Sequence, residues 1–125
     1  MIKMETQKNM IPKVEYDKKS GILNIEGRAT SPYVGEYLKG FIHNFKEDLN
    51  KNPKNLEVNI DLEYFNTRMS GILYGTLDII KENIEKGYNT VINWKYEEDD
   101  EDMYETIKSY EMNLNIKINI VKKAI

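Results

Sequence analysis

The sequence contains no cysteine. Disulfides, thiolate metal sites and cysteine nucleophiles are therefore excluded together. It has one histidine, His43. That residue lies between Ile42 and Phe45 in a segment of helical periodicity, where a packing or surface role outweighs that of a base. Neither a P-loop nor a G-x-G-x-x-G pattern is present, so the common glycine-rich phosphate cradles are missing. No apolar run approaches the ~18–20 residues needed to span a bilayer. Met1 to Met10 is polar and lacks the apolar stretch of a secretory signal. Residues 1–10 read as a flexible leader and 11–125 as one domain. Positive charge is not in excess: 18 Lys and Arg stand against 21 Asp and Glu, a net charge of −3. A phosphate-binding face needs a basic surface, so nucleic acid is a poor partner. These absences predict a protein without metal, cofactor, membrane or nucleic-acid partner, not an enzyme, placed in the cytoplasm.

What is present suits a folded domain. The chain has 125 residues, 40% hydrophobic and 31% charged, an ordinary balance for one globular unit. Ile11–Asp17 and Ile22–Glu26 read as short strands around the turn Lys18-Lys19-Ser20-Gly21, an antiparallel hairpin. Ser31-Pro32 predicts a helix start, with serine as N-cap and proline at the first helical position. Tyr37, Leu38, Phe41, Ile42, Phe45 and Leu49 follow at helical spacing, ending near Asn50. Leu56, Val58, Ile60 and Leu62 alternate with polar residues as a strand. Met69, Ile72, Leu73, Leu77, Ile80 and Ile84 mark a second helix, closed by Gly87. Thr90–Trp94 is a fourth strand. The acidic run Glu97–Asp102 opens a third helix bearing Met103, Ile107 and Tyr110, with acids facing the positive dipole end. Asn115–Val121 is a fifth strand. The order ββαβαβαβ predicts an α/β (α+β) single domain. Its five-stranded sheet is mixed, with an antiparallel opening hairpin and otherwise mostly parallel strands.

Candidate chemistry is sparse. The acidic run lacks the spaced ligands and glycine of an EF-hand loop, so a solvated helix start is the stronger reading. Gly71 and Gly75, four apart in the second helix, suggest close packing. The strongest local feature is the junction Leu62-Glu63-Tyr64-Phe65-Asn66-Thr67-Arg68-Met69-Ser70-Gly71. A strand ends there and a helix begins, on the edge where α/β proteins usually carry function. Asn66 and Thr67 are both natural N-caps. The plainer reading of Thr67 is a cap worth ~1 kcal/mol, and residue chemistry alone favours it. The other reading is a phosphorylation site, where a phosphate adds up to about two negative charges and three acceptors.

Three stretches carry a resemblance. They are Leu62-Glu63-Tyr64-Phe65-Asn66-Thr67, Leu77-Asp78, and Val91-Ile92-Asn93-Trp94-Lys95-Tyr96 leading into the acidic run up to Met103. With these the chain resembles the SiaC family of bacterial regulatory phosphoproteins, over nearly its whole length after the leader. The family is similar in fold to STAS domains, the anti-sigma-factor antagonists. The resemblance implies a non-enzymatic partner switch. A serine/threonine kinase phosphorylates the threonine of an Asn-Thr-Ser-Ser motif and a PP2C-type phosphatase removes the phosphate. The unphosphorylated form binds an output protein such as a diguanylate cyclase, in cyclic di-GMP and biofilm signalling. Carried onto this chain, Thr67 is the phosphoacceptor, with Ser70 as the alternative. Tyr64, Asn66, Thr67, Arg68 and Ser70 form the partner-binding surface. Arg68 and Met69 stand where the motif has two serines. Two other readings are a STAS-like interaction domain that does not switch and a STAS-like module that binds a small ligand.

Overall fold

The computed structural model describes residues 10–123. Period-two alternation of apolar residues produces five strands, β1 Lys13–Asp17, β2 Ile22–Ala29, β3 Leu56–Phe65, β4 Thr90–Glu97 and β5 Asn119–Lys123. Between them run three helices, α1 Val34–Lys51, α2 Thr67–Glu85 and α3 Glu101–Leu114. The sheet order is β1-β2-β3-β4-β5. β1 pairs antiparallel with β2, and every later pairing is parallel. The predicted α/β domain with its mixed five-stranded sheet is the one observed.

That sequential order has a geometric consequence. Each parallel crossover steps to the adjacent strand in the same direction. Because crossovers share one hand, their helices all fall on the same side of the sheet. Leu23, Ile25, Val58, Ile60, Ile92 and Trp94 point to that side and are buried. They meet Leu38, Phe45, Leu73, Leu77, Ile80 and Ile107 of the helices in one core. Among the described residues, no helix packs on the opposite face. Its central row is polar: Asn24, Asn59, Asn93 and Asn119 lie in register on four neighbouring strands. Each amide bonds the next, Asn119 to Asn93 at 3.1 Å, Asn93 to Asn59 at 3.1 Å and Asn59 to Asn24 at 2.9 Å. The ladder satisfies side chains that would otherwise compete with the backbone for its partners.

The far end of the sheet is closed by a charged cluster. Asp48 in α1 is 8% exposed. It accepts hydrogen bonds from Lys54 Nζ and, at 2.6 Å, from the Tyr16 hydroxyl. Lys54 also donates to the Lys18 carbonyl at 2.8 Å, tying the hairpin turn to the segment before β3. Gly21 ends that turn at φ +73°, and a Cβ there would lie 2.3 Å from the Asn55 carbonyl oxygen. Glycine is required on both counts.

Several expectations are corrected. Residues 1–9 of the expected leader lie outside the described residues. Met10, its last residue, is joined to the domain, since its carbonyl accepts the Thr30 and Ser31 N–H groups at 2.9 and 3.1 Å. Ser31 is not the N-cap of α1. The helix starts at Val34 behind Tyr33, because Ser31 is committed to a preceding turn in which its Oγ accepts the Tyr33 N–H at 3.0 Å. Tyr37, expected on the apolar stripe, is 50% exposed. Gly71 and Gly75 have nothing within 4 Å of an added Cβ, so close packing is not their role. The expected fifth strand begins late, at Asn119. Asn115 instead ends α3 in the left-handed region at φ 53°, a conformation asparagine tolerates.

The Asp48 cluster sets an acid dependence. Burial works to raise the Asp48 carboxyl pKa, but the bonds from Lys54 and Tyr16 outweigh it and hold the group below its ordinary value. A depressed carboxyl stabilises the fold above its unfolded pKa, and that contribution is lost as pH falls through the folded value. Asp48→Asn is expected to cost about 1–3 kcal/mol at neutral pH. The difference from wild type should shrink well below the ordinary carboxylate range of roughly pH 4. Urea melts of both proteins at the two pH values check this.

Candidate functional site

The junction between β3 and α2 lies at the carboxyl end of a parallel strand, and its shape begins with a register step. Gly27 of β2 pairs with Leu62, but the next residue, Arg28, pairs with Tyr64 and Ala29 with Phe65. β3 thus carries one extra residue, Glu63, a β-bulge that reverses which side chains face the core. Phe65 shares a register with fully buried Ala29 and packs 6.3 Å from Trp94. Tyr64 pairs with exposed Arg28 and is itself 50% exposed. Without the bulge these two aromatics would exchange places.

Asn66 follows at once and is the N-cap of α2. Its Oδ1 accepts the Met69 N–H at 2.9 Å, satisfying one of the orphan donors of the first turn. Its Nδ2 donates to the Ser31 carbonyl at 3.0 Å, and its own N–H bonds to the Ala29 carbonyl at 2.9 Å. One residue therefore joins the start of α2 to the end of β2 and to the turn that leads into α1. Thr67 occupies the first helical position and is exposed, as is Arg68. Met69 is fully buried, so this departure from the two-serine motif supplies core packing. Ser70 faces inward and is half-buried, with its Oγ 2.6 Å from the Tyr110 hydroxyl.

Tyr110 of α3 is 2% exposed. Burial pushes its phenol pKa up, although the Ser70 contact works the other way, so it acts as a neutral hydroxyl. It stacks on Trp94 at 5.4 Å and touches the Tyr74 ring at 4.3 Å. The aromatic series Phe65, Trp94, Tyr110 and Tyr74 thus forms a floor beneath the first turn of α2. Of the expected partner-binding residues, Tyr64, Thr67 and Arg68 are exposed, while Asn66 and Ser70 are half-buried and engaged inside the protein.

The structure adds Tyr33, which sequence reading passed over, and puts Tyr37 beside it at the surface rather than in the core. Tyr33 and Tyr37 are 61% and 50% exposed, one turn apart at the start of α1. The Asn66 bond to Ser31 brings that turn against the candidate site. Two tyrosines four apart after Ser-Pro were the available signal. Tyr110 read only as a core residue, because nothing local marks a tyrosine whose hydroxyl meets a serine 40 positions away. Among the described residues, no three His, Cys, Asp or Glu side chains group to hold a metal ion. No helix among them is long and apolar enough to cross a membrane. The acidic run Glu97–Asp102 is divided in use. Glu97 ends β4, Asp100 caps α3 by accepting the Met103 N–H at 3.0 Å, and Glu101 and Asp102 fill the first turn.

Known proteins share this fold. A family model described as SiaC family regulatory phosphoprotein matches residues 5–123. No curated protein matches the chain. Among solved structures, the chain is similar to one in the crystal structure of the diguanylate cyclase SiaD in complex with its activator SiaC from Pseudomonas aeruginosa. That match has a TM-score of 0.85 and 20% identity, and covers 93% of this chain and 95% of the other. It is also similar to apo-SiaC from the same organism, with a TM-score of 0.78, 20% identity and coverage of 91% and 93%. A further SiaC structure of P. aeruginosa matches with a TM-score of 0.76 at 19% identity, covering 91% and 90%.

The Asn66 contacts lead to a stability prediction. Asn66→Ala removes the helix cap and the bond to Ser31 together, and a cap alone is typically worth ~1 kcal/mol. A loss of about 1–3 kcal/mol is expected, against less than about 0.5 kcal/mol for Thr67→Ala at the exposed neighbouring position. Chemical denaturation of the two variants checks the contrast.

Proposed function

The chain belongs to the SiaC family of regulatory phosphoproteins, and from that premise we propose that it is a non-enzymatic partner switch controlled by phosphorylation of Thr67. The observation that carries this reading is the placement of Thr67. It is exposed, at the first helical position, on the carboxyl edge of the parallel sheet. A serine/threonine kinase can reach such a hydroxyl without opening the core. A PP2C-type phosphatase can reach the resulting phosphate equally well. Ser70 is the poorer acceptor, because its Oγ already lies 2.6 Å from the buried Tyr110 hydroxyl.

The energetics favour a switch that leaves the fold intact. A phosphate on Thr67 sits near the N–H groups of the first turn of α2 and the positive end of its dipole. Arg68 is exposed beside it and can make a charge-assisted contact. These offset the repulsion from exposed Glu63 across the junction. A partner docked over Tyr64, Thr67 and Arg68 meets a different situation. It would bury new charge without a counterion, which typically costs several kcal/mol. Partner binding therefore belongs to the unphosphorylated form. The output partner in this reading is a diguanylate cyclase, the kind of protein that SiaC activates in the similar structure from P. aeruginosa. Cytoplasmic placement goes with such partners.

The test is titration calorimetry against the output protein recovered by pull-down with the unphosphorylated chain. Thr67→Ala should bind as wild type does. Thr67→Glu should bind at least tenfold more weakly, a difference of ~1.4 kcal/mol, and phosphorylated protein more weakly still. Equal affinities for all of them would leave a constitutive interaction domain in which Thr67 is only a helix residue.

A further inference from the structure

We infer that Asn66 is a positioning residue that transmits the charge state of Thr67 to the turn between β2 and α1, where Tyr33 and Tyr37 are displayed. The inference rests on the reading of Thr67 as the site of modification and goes beyond it, to how the modification is felt elsewhere in the chain.

The geometry is that of a single planar group with two obligations. The Asn66 amide accepts from Met69 N–H through Oδ1 at 2.9 Å and donates to the Ser31 carbonyl through Nδ2 at 3.0 Å. Oδ1 and Nδ2 share one plane on one short side chain, so a rotation of the amide that breaks one bond breaks the other as well. The Met69 N–H is also among the donors that a phosphate on Thr67 would seek. An anionic oxygen is the stronger acceptor, with charge-assisted bonds about twice as strong as neutral ones. When the phosphate takes that donor, the Asn66 amide loses its hold on α2. Its plane is then held by the Ser31 bond alone.

Ser31 sits where such a loss matters. It is 5% exposed, and among the described residues its carbonyl otherwise receives only the Val34 N–H at 3.3 Å. Its Oγ fixes the Tyr33 N–H at 3.0 Å. Tyr33 is the uncapped residue before α1, with no side-chain bond to hold the helix start. The Met10 carbonyl still holds the Thr30 and Ser31 N–H groups and Val34 stays buried, so release of the Ser31 carbonyl shifts the turn and the first turn of α1 rather than freeing them. Two exposed aromatic side chains, Tyr33 and Tyr37, ride on them. Phosphorylation would thus alter the surface twice, by adding charge at Thr67 and by displacing two tyrosines.

The experiment uses the full chain with phosphothreonine installed at position 67, and reads backbone amide resonances by NMR with no partner present. In wild-type protein, phosphorylation should shift the amides of Ser31, Tyr33, Val34 and Tyr37 as well as those of Arg68 and Met69. Asn66→Ser keeps a good cap oxygen but has no amide to donate to Ser31. In that variant Arg68 and Met69 should still shift on phosphorylation, while the response over Ser31–Tyr37 should fall at least threefold. Wild-type shifts confined to Arg68 and Met69 would overturn the inference. So would a full Ser31–Tyr37 response in Asn66→Ser, which would mean that another path carries it. Because no partner is involved, this failure is separate from a failure of the partner-affinity test at Thr67.

Discussion

The structure depends on one topological constraint: every parallel crossover moves to the next strand over, in the same direction and with the same hand. Helices α1, α2 and α3 are thereby stacked on one side, and one core forms between them and the sheet. Among the described residues the other side is left to its strands, and there Asn24, Asn59, Asn93 and Asn119 are bonded in a polar row. The same constraint aligns the carboxyl ends of β2, β3 and β4 along one edge. The turn into α1 and the first turn of α2 therefore become neighbours, although their residues lie about 35 positions apart in the chain.

The bulge at Glu63 turns that neighbourhood into a site. Uninterrupted alternation would have sent Tyr64 into the core and Phe65 into solvent. The extra residue reverses them. It seats Phe65 against Trp94 and brings Asn66 to the position from which it reaches both Met69 and Ser31. Beneath, Tyr110 holds Ser70 from the far helix. The exposed hydroxyl of Thr67 thus rests on a turn fixed from two sides.

The order of elements and the core were legible because they rest on periodicity. Val58, Ile60 and Leu62 alternate, Leu73, Leu77 and Ile80 recur at helical spacing, and each is buried. The family was legible from the run Leu62–Thr67 together with Trp94 and the acids that follow it, and the family model agrees. What stayed hidden depended on contacts distant in sequence. The last three residues of β3 broke the alternation because the bulge reverses its parity. Ser31-Pro32 had the chemistry of a helix start, but Ser31 is held elsewhere by Met10 and Asn66. Gly71 and Gly75 had the spacing of a packing stripe and lie where nothing approaches them. The Ser70–Tyr110 and Asn66–Ser31 bonds each join residues that no window of sequence contains.

Trp94 is the only tryptophan in the chain. It is fully buried, and its indole N–H meets no acceptor among the described residues. It lies between Phe65, which adjoins Asn66, and Tyr110, which holds Ser70. An indole in such a place fluoresces in an apolar environment, directly under the turn that carries Thr67. Nine tyrosines are available to pass excitation to it. The molecule therefore contains its own optical reporter, a single chromophore whose emission reads the floor of the site without a label.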